Sequence, residues 1–372
     1  MLEIVKQKIR ESEQTAITYH DYIETVLYYP NKGYYMKEQR KIGKQGDFYT
    51  SANVSNILAK KFAHFFIQLV ESGVVPAHIR EVGGGSGKFA HDILQEWKKQ
   101  SPQSFSELRY EIIEASPYHR ALQKQILEKF VSVRQINSID LTEDFIGITF
   151  SNELFDAFPV HVIEKQNNRL FEVYITLDET DQLSEALFPL QNQQIYTYLD
   201  KHNLFLHNGQ RFEVPLFMGQ YIKKLGERMK QGLLVTVDYG YTNREWMLPF
   251  HQQGSLRGYY KHSLVTNPLD YPGEMDITTH IHWDELLLEG IKNGFELIWH
   301  SKQHEFLLAA GVLQDLVDHK DPNPFSENNK QNRAIRSMIL SESMSPFFDV
   351  VVQQKGLLIE IESYLDTTMV MR

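Results

Sequence analysis

Apolar residues recur at helical spacing through the first part of the chain, at Leu2, Val5 and Ile9 and again at Tyr22, Ile23 and Val26. A repeat at three and four residues marks one buried helical face, so helix is predicted from Leu2 to Val26. Tyr29-Pro30-Asn31-Lys32-Gly33 interrupts it with turn residues. Lys41 to Thr50 is predicted to be an exposed loop hinged at Gly43 and Gly46. Ser51 to Glu71 then carries a strong helical stripe: Ile57, Leu58, Phe62, Phe65, Phe66 and Leu69.

Beyond Pro76 short apolar runs alternate with helical patterns. Ile79–Val82, Arg109–Glu114, Val131–Arg134 and Ile148–Ser151 are predicted strands. Lys88–Lys99 and Pro117–Phe130 are the helices between them. This β-α-β-α-β order predicts a parallel sheet with helices on both faces, an α/β Rossmann-like core. Val160–Glu164 and Leu170–Leu177 form an expected hairpin around Gln166-Asn167-Asn168. The polar, glutamine-rich stretch from Glu179 to Glu213 has no clear period and is expected to be an insertion. Tyr221–Lys230 and Trp283–Lys292 are predicted helices; Leu233–Asp238, Phe295–Trp299 and Val350–Gln353 are predicted strands. The expected organisation is a helical N-terminal extension (1–75), the first part of the core (76–178), an insertion (179–220) and the remainder of the core with substrate-side loops (221–372).

Composition narrows the partners. Of 372 residues, 42% are apolar and 23% charged, which suits a folded chain with a sizeable core. The formal net charge of -10 argues against duplex nucleic acid, which demands a basic face. There is no cysteine, which excludes disulfides, thiol nucleophiles and thiolate metal sites. No apolar run is long enough to span a bilayer. Glu3, Glu11 and Glu13 disfavour a transit peptide, so the cytoplasm is the expected location.

The main chemical clue is Glu81-Val82-Gly83-Gly84-Gly85-Ser86-Gly87, between a predicted strand and helix. A phosphate-binding loop requires Gly-Lys-Ser/Thr at its end, but Phe89 follows Lys88 and Val82 stands where the first glycine belongs. The dinucleotide pattern requires a third glycine where Lys88 stands. What remains is an acid followed by alternating glycines, Glu81, Gly83, Gly85 and Gly87, the usual methyltransferase arrangement. Glycine permits positive φ and close approach of a ligand. On this basis Glu81 is expected to meet the α-ammonium of S-adenosyl-L-methionine, directly or through water. Glu114, ending the second strand, is expected to accept hydrogen bonds from the ribose hydroxyls. The competing interpretation is a glycine-rich turn with no ligand and an ordinary strand-end carboxylate.

Several longer blocks then carry a resemblance. They are Tyr28-Tyr29-Pro30-Asn31-Lys32-Gly33-Tyr34-Tyr35-Met36, Gly46-Asp47-Phe48-Tyr49-Thr50-Ser51, Ser151-Asn152-Glu153-Leu154-Phe155-Asp156-Ala157-Phe158-Pro159-Val160 and Val237-Asp238-Tyr239-Gly240-Tyr241. Leu256-Arg257-Gly258-Tyr259, His262, the run Pro272 to His280 and the run Gln303 to Gly311 follow in the same order. In these blocks the chain resembles the MidA family of methyltransferases, which includes members that modify a protein arginine. The resemblance implies S-adenosyl-L-methionine as cofactor, a protein substrate and an arginine nitrogen as acceptor. Where that family often has proline in the glycine turn, this chain has Gly84.

A guanidinium acceptor is positively charged, and carboxylates can orient it. Glu153 and Asp156, with Asn152 as a positioning amide, follow the fourth strand and are the catalytic candidates; Asn152 and Asp156 also suit a turn before Pro159. Asp47 and Thr50 are expected to cover the cofactor. Asp238 and Tyr239 are expected on the substrate side, with Arg257, His262 and Asp276 added by the resemblance alone. His280-Ile281-His282 has a metal-like spacing but lacks further ligands, so no metal is expected; His280 is a substrate-side candidate, either as a proton acceptor or as a structural hydrogen-bonder. A small-molecule or RNA methyltransferase and a non-catalytic cofactor-binding assembly factor are the alternatives. The aromatic N-terminal segment is expected either to cover the site or to join another subunit, which keeps a homo-oligomer among the expected states.

Overall fold

The computed structural model describes residues 1–38, 56–319, 321–340 and 347–369. Asp47, Thr50, the predicted loop from Lys41 to Thr50 and the block Gly46–Ser51 lie outside the described residues. The chain divides into two compact units. Unit 1 comprises Met1–Phe48, Leu154–Lys223 and Gly240–Glu289; unit 2 comprises Tyr49–Glu153, Lys224–Tyr239 and Gly290–Arg372.

Unit 2 carries the expected α/β sheet. Its strands are β1 (His78–Val82), β2 (Arg109–Ile113), β3 (Val133–Ile136), β4 (Phe145–Asn152), β5 (Met229–Tyr241), β6 (Glu296–Lys302) and β7 (Phe348–Lys355). They lie in the order β6-β7-β5-β4-β1-β2-β3. β1 to β5 pair in parallel, and β7 runs antiparallel to both β5 and β6. The order reverses between β1 and β4, and sheets of this kind bind ligands at the carboxyl ends beside such a switch point. One face of the sheet packs Ile79, Tyr110, Ile112, Ile148, Phe150, Val235 and Val350 against helices Ile57–Glu71 and Lys88–Gln100. Phe62 fills the middle, with its ring 5.0 Å from Phe150 and stacked on Phe306 at 4.6 Å. A buried phenylalanine stabilises by about 2–3 kcal/mol, so this aromatic cluster carries a large share of the core.

Unit 1 is built on an antiparallel sheet in the order Ile17–Thr18, Arg169–Leu177, His161–Gln166 and Arg211–Val214, with Leu183–Pro189 also on Arg169–Leu177. Helices Leu2–Glu11 and Tyr19–Tyr28 bury Val5, Ile9, Tyr22 and Val26 against Val160, Val162, Val173 and Ile175. The first predicted helix is therefore two helices. Ser12–Ala16 turns, Thr15 takes φ 49°, and the Thr18 side chain accepts from Asp21 N to start the second helix. The stretch expected to be an insertion holds strand Leu183–Pro189, helix Gln193–His202 and strand Arg211–Val214. Its strand is half exposed, so polar residues conceal the alternation. Among the described residues no helix is long and apolar enough to cross a membrane.

Candidate cofactor and acceptor site

Unit 2 brings Glu81, Gly83, Gly85, Gly87 and Glu114 together at the carboxyl ends of β1 and β2. Gly83, Gly85 and Gly87 all take positive φ, 74°, 50° and 80°. These angles suit glycine and strain other residues, which explains the alternation. Gly83 N donates to Ile113 O at 2.8 Å, tying the turn to β2. A Cβ placed on Gly85 meets nothing within 4 Å, so the turn presents bare backbone to open space. At Gly84 an added Cβ falls 2.6 Å from Ile112 Cγ2, so this glycine fits the turn closely to the sheet.

Glu114 does more than end a strand. It is buried, and its Oε2 accepts from Gly85 N at 2.9 Å while Oε1 accepts from Ser116 N at 2.8 Å. Gln123, fully buried, donates from Nε2 to Gly85 O at 2.8 Å and accepts from Gln135 Nε2 at 2.9 Å. The turn is thus clamped through both the N–H and the carbonyl of Gly85. Gln123 was not legible in the sequence, since it lies in an ordinary helix, Pro117–Ile126, with no motif around it.

Glu81 is also buried, and Tyr110 donates its hydroxyl to Oε2 at 2.9 Å. Desolvation pushes the Glu81 carboxyl up to about 7, against the Tyr110 hydrogen bond, and the neighbouring Glu114 carboxylate adds to the rise. A carboxyl near neutrality in a dry site gains its charge when a cation arrives. Tyr110 lies two residues before Ile112, the register partner of Glu81, which places its ring on the same sheet face.

The next strands bring acids to the same edge. Glu153 N donates to Val237 O at 2.9 Å, extending the β4–β5 ladder by one bond. Glu153 takes φ 50°, an uncommon conformation for a residue with a side chain. Asn152 donates from Nδ2 to Glu153 Oε1 at 3.1 Å, and its Oδ1 is buried without a hydrogen-bond partner. Asp238 does not end its strand, as the sequence pattern suggested; β5 continues to Tyr241 because Gly240 and Tyr241 pair with Ile281 and His282. Asp238 is fully buried, sits opposite Asp349, and accepts from Tyr239 N at 2.9 Å. Asp349 in turn holds Lys302 at 2.7 Å and His300 at 3.3 Å. Tyr239 packs edge-on against Phe348.

The other candidates belong to unit 1. Asp156 lies in the short turn Phe155–Ala157; its Oδ2 accepts from Thr278 at 2.9 Å and its carbonyl from Thr279 N at 3.0 Å. Asp276 accepts from the Tyr35 hydroxyl at 2.7 Å, and Tyr35 stacks on Tyr28 at 5.6 Å. Arg257 donates to His280 Nδ1 at 3.1 Å, so the proton of a neutral His280 ring sits on Nε2. The His280 ring stacks on Tyr241 at 4.3 Å. His262 occupies an exposed hairpin turn at φ 63°. His282 is buried and bonded to Tyr198 and Asn243. Burial holds His282 well below the usual imidazole range.

Residues 57–300 match the S-adenosyl-L-methionine-dependent methyltransferase family. The chain is 26% identical over 318 residues to the mouse protein arginine methyltransferase NDUFAF7, mitochondrial, covering 77% of this chain and 68% of that one. It is 26% identical over 353 residues to the human protein of the same name, covering 86% and 75%. A solved Burkholderia thailandensis structure bound to S-adenosyl-homocysteine shares 26% identity and a TM-score of 0.85, over 96% of this chain and 93% of that one.

Proposed function

Because the chain belongs to the S-adenosyl-L-methionine-dependent methyltransferase family, we propose that it methylates an arginine nitrogen of a protein partner. The enzyme class and the cofactor, S-adenosyl-L-methionine, come with the family. The residues present suit that cofactor. Gly85 offers backbone beside open space, Glu81 is a buried acid that becomes charged beside an ammonium, and Glu114 holds the turn with lone pairs left on both oxygens. We assign Glu81, Gly83, Gly85, Gly87 and Glu114 to cofactor binding, with Asp47 and Thr50 as further candidates. When bound, the cofactor's sulfonium supplies an electrophilic methyl group.

The arginine acceptor is supported by the names of the curated relatives and, in this chain, by one observation. Glu153 is held at φ 50° at the carboxyl end of β4, beside the point where the strand order reverses. Strained backbone with an ionisable side chain clusters where ligands are handled. In our assignment the Glu153 carboxylate pairs with the guanidinium, and the Asn152 amide, bonded to Oε1, fixes its direction. Asp238 places a second carboxyl group at the same level of the sheet, since its neighbour Val237 is the register partner of Asn152. Asp156 remains a catalytic candidate, and Tyr239, Arg257, His262, Asp276 and His280 remain substrate-side candidates.

The test is transfer of a labelled methyl group from S-adenosyl-L-methionine into a cell extract, followed by hydrolysis and amino-acid analysis. Label in methylarginine, lost when the acceptor arginine of the labelled protein is replaced by lysine, is the expected result. Label confined to RNA, to small molecules or to another amino acid would refute the arginine assignment while leaving the enzyme class intact.

A further inference from the structure

One face of the unit 2 sheet buries polar atoms that no described group satisfies. Ser151 Oγ, Thr236 Oγ1 and both amide atoms of Gln353 have no hydrogen-bond partner. The three residues are 2%, 1% and 0% exposed. Thr236 neighbours both of the others. Ser151 and Thr236 face each other in register on β4 and β5. Gln353 opposes Leu234 on β7, and Leu234 is two residues from Thr236 on the same face. Direct and diagonal neighbours on a sheet lie about 5–8 Å apart, which one water molecule can bridge.

The register neighbours of the site are apolar, and the buried acids Asp238 and Asp349 lie one step further along the same face. Val82, Leu234 and Val351, the register neighbours of these residues, are buried and apolar. The Gln353 amide reaches the helix at Gly290, where an added Cβ would overlap it. Glycine at that position leaves space for the amide. Buried polar atoms in folded proteins are almost always paired, and internal water supplies the partner when protein groups do not.

We infer that Ser151, Thr236 and Gln353 form a binding site for ordered water inside unit 2. The water joins β4, β5 and β7 across their interior face. Ser151 lies two residues before Glu153, and Thr236 two before Asp238, so the water braces the strands that carry both acids. The two hydroxyls each offer a donor and acceptors, and the amide offers both as well, which matches the needs of water and not of an apolar guest.

The sign of one stability change decides between a wet and a dry site. Thr236→Val keeps the shape and removes the hydroxyl. In a wet site the water loses a partner, and the melting temperature should fall by about 2–4 °C. In a dry site the replacement removes an orphaned polar atom, and the melting temperature stays or rises; that outcome overturns the proposal. Because a fall alone can reflect packing, Thr236→Val is combined with Gln353→Met. Effects that fail to add indicate a shared water, and strict additivity counts against one. A crystal structure of the wild-type chain at about 1.5 Å gives the same answer directly: density within hydrogen-bonding distance of two of the three side chains, or a protein group in its place, which again overturns the proposal.

Discussion

Glu81→Gln separates stability from binding in a single position. The wild-type carboxyl is buried, receives one hydrogen bond from Tyr110, and is pushed from 4.5 up to about 7, chiefly by desolvation. The folded state therefore holds a proton that the unfolded chain releases near 4.5. Stability from this group is fully present below that value and is lost as pH rises through about 7. At 1.36 kcal/mol per unit, the loss between pH 5 and pH 8 is about 2.5 kcal/mol. Glutamine does not titrate, so the variant escapes this loss whatever constant offset its amide introduces. Urea unfolding of both proteins at pH 5 and pH 8 measures the difference. The variant should gain about 2–3 kcal/mol on the wild type between the two conditions. Titration calorimetry should show the opposite trend for the cofactor. The wild type should bind S-adenosyl-L-methionine about tenfold more weakly per unit below pH 7, because the acid must ionise to meet the ammonium. The variant should bind weakly, and its affinity should not follow that titration. A stability difference that does not change with pH would refute the neutral buried acid; equal cofactor affinity in the two proteins at pH 8 would remove Glu81 from the site.

Three other substitutions probe neighbouring parts of the site. Gly85→Ala meets no protein atom, and its positive φ should cost about 1–2 kcal/mol of stability; calorimetry should show cofactor affinity reduced at least tenfold, and unchanged affinity would mean that the ligand does not lie against the turn. Glu153→Gln should leave cofactor binding intact and lower turnover by about a hundredfold, so normal kcat with the labelled-methyl assay would eliminate it from the acceptor chemistry. Gln123→Ala removes the side-chain donor to Gly85 O and leaves Gln135 Nε2 with Arg120 O as its acceptor. Chemical denaturation should register a loss of about 1–3 kcal/mol, accompanied by weaker cofactor binding; a change in stability alone would confine Gln123 to the fold.

The sequence made the sheet of unit 2 readable because its strands are short apolar runs and its helices have a clean apolar stripe. Helix Lys88–Gln100 buries Phe89, Ile93, Leu94 and Trp97, which recur along it at helical spacing. The glycine turn was legible for a related reason: Gly83, Gly85 and Gly87 need positive φ, and few residues other than glycine adopt it. Partners separated along the chain were not legible. Nothing near Gln123 points to Gly85, and nothing near Tyr110 points to Glu81; those contacts exist because β1 and β2 pair in one register. The helix expected from Leu2 to Val26 failed on local chemistry, since apolar spacing on either side of Ser12–Ala16 hid a turn and a new helix start at Thr18. Asp238 was misplaced at a strand end because Tyr239-Gly240 looks like a turn, whereas Ile281–His282 supplies a partner that continues the strand. The polar stretch after Glu179 concealed its strand because an edge strand with one exposed face has few apolar positions.

The most direct test of the account is calorimetric titration of the purified chain at pH 8 with S-adenosyl-L-methionine and, separately, with NADH. The account predicts saturable binding of S-adenosyl-L-methionine at one site and no binding of NADH, because the turn lacks the third glycine of a dinucleotide site. Binding of NADH with comparable affinity, or no binding of S-adenosyl-L-methionine by demonstrably folded protein, would contradict it.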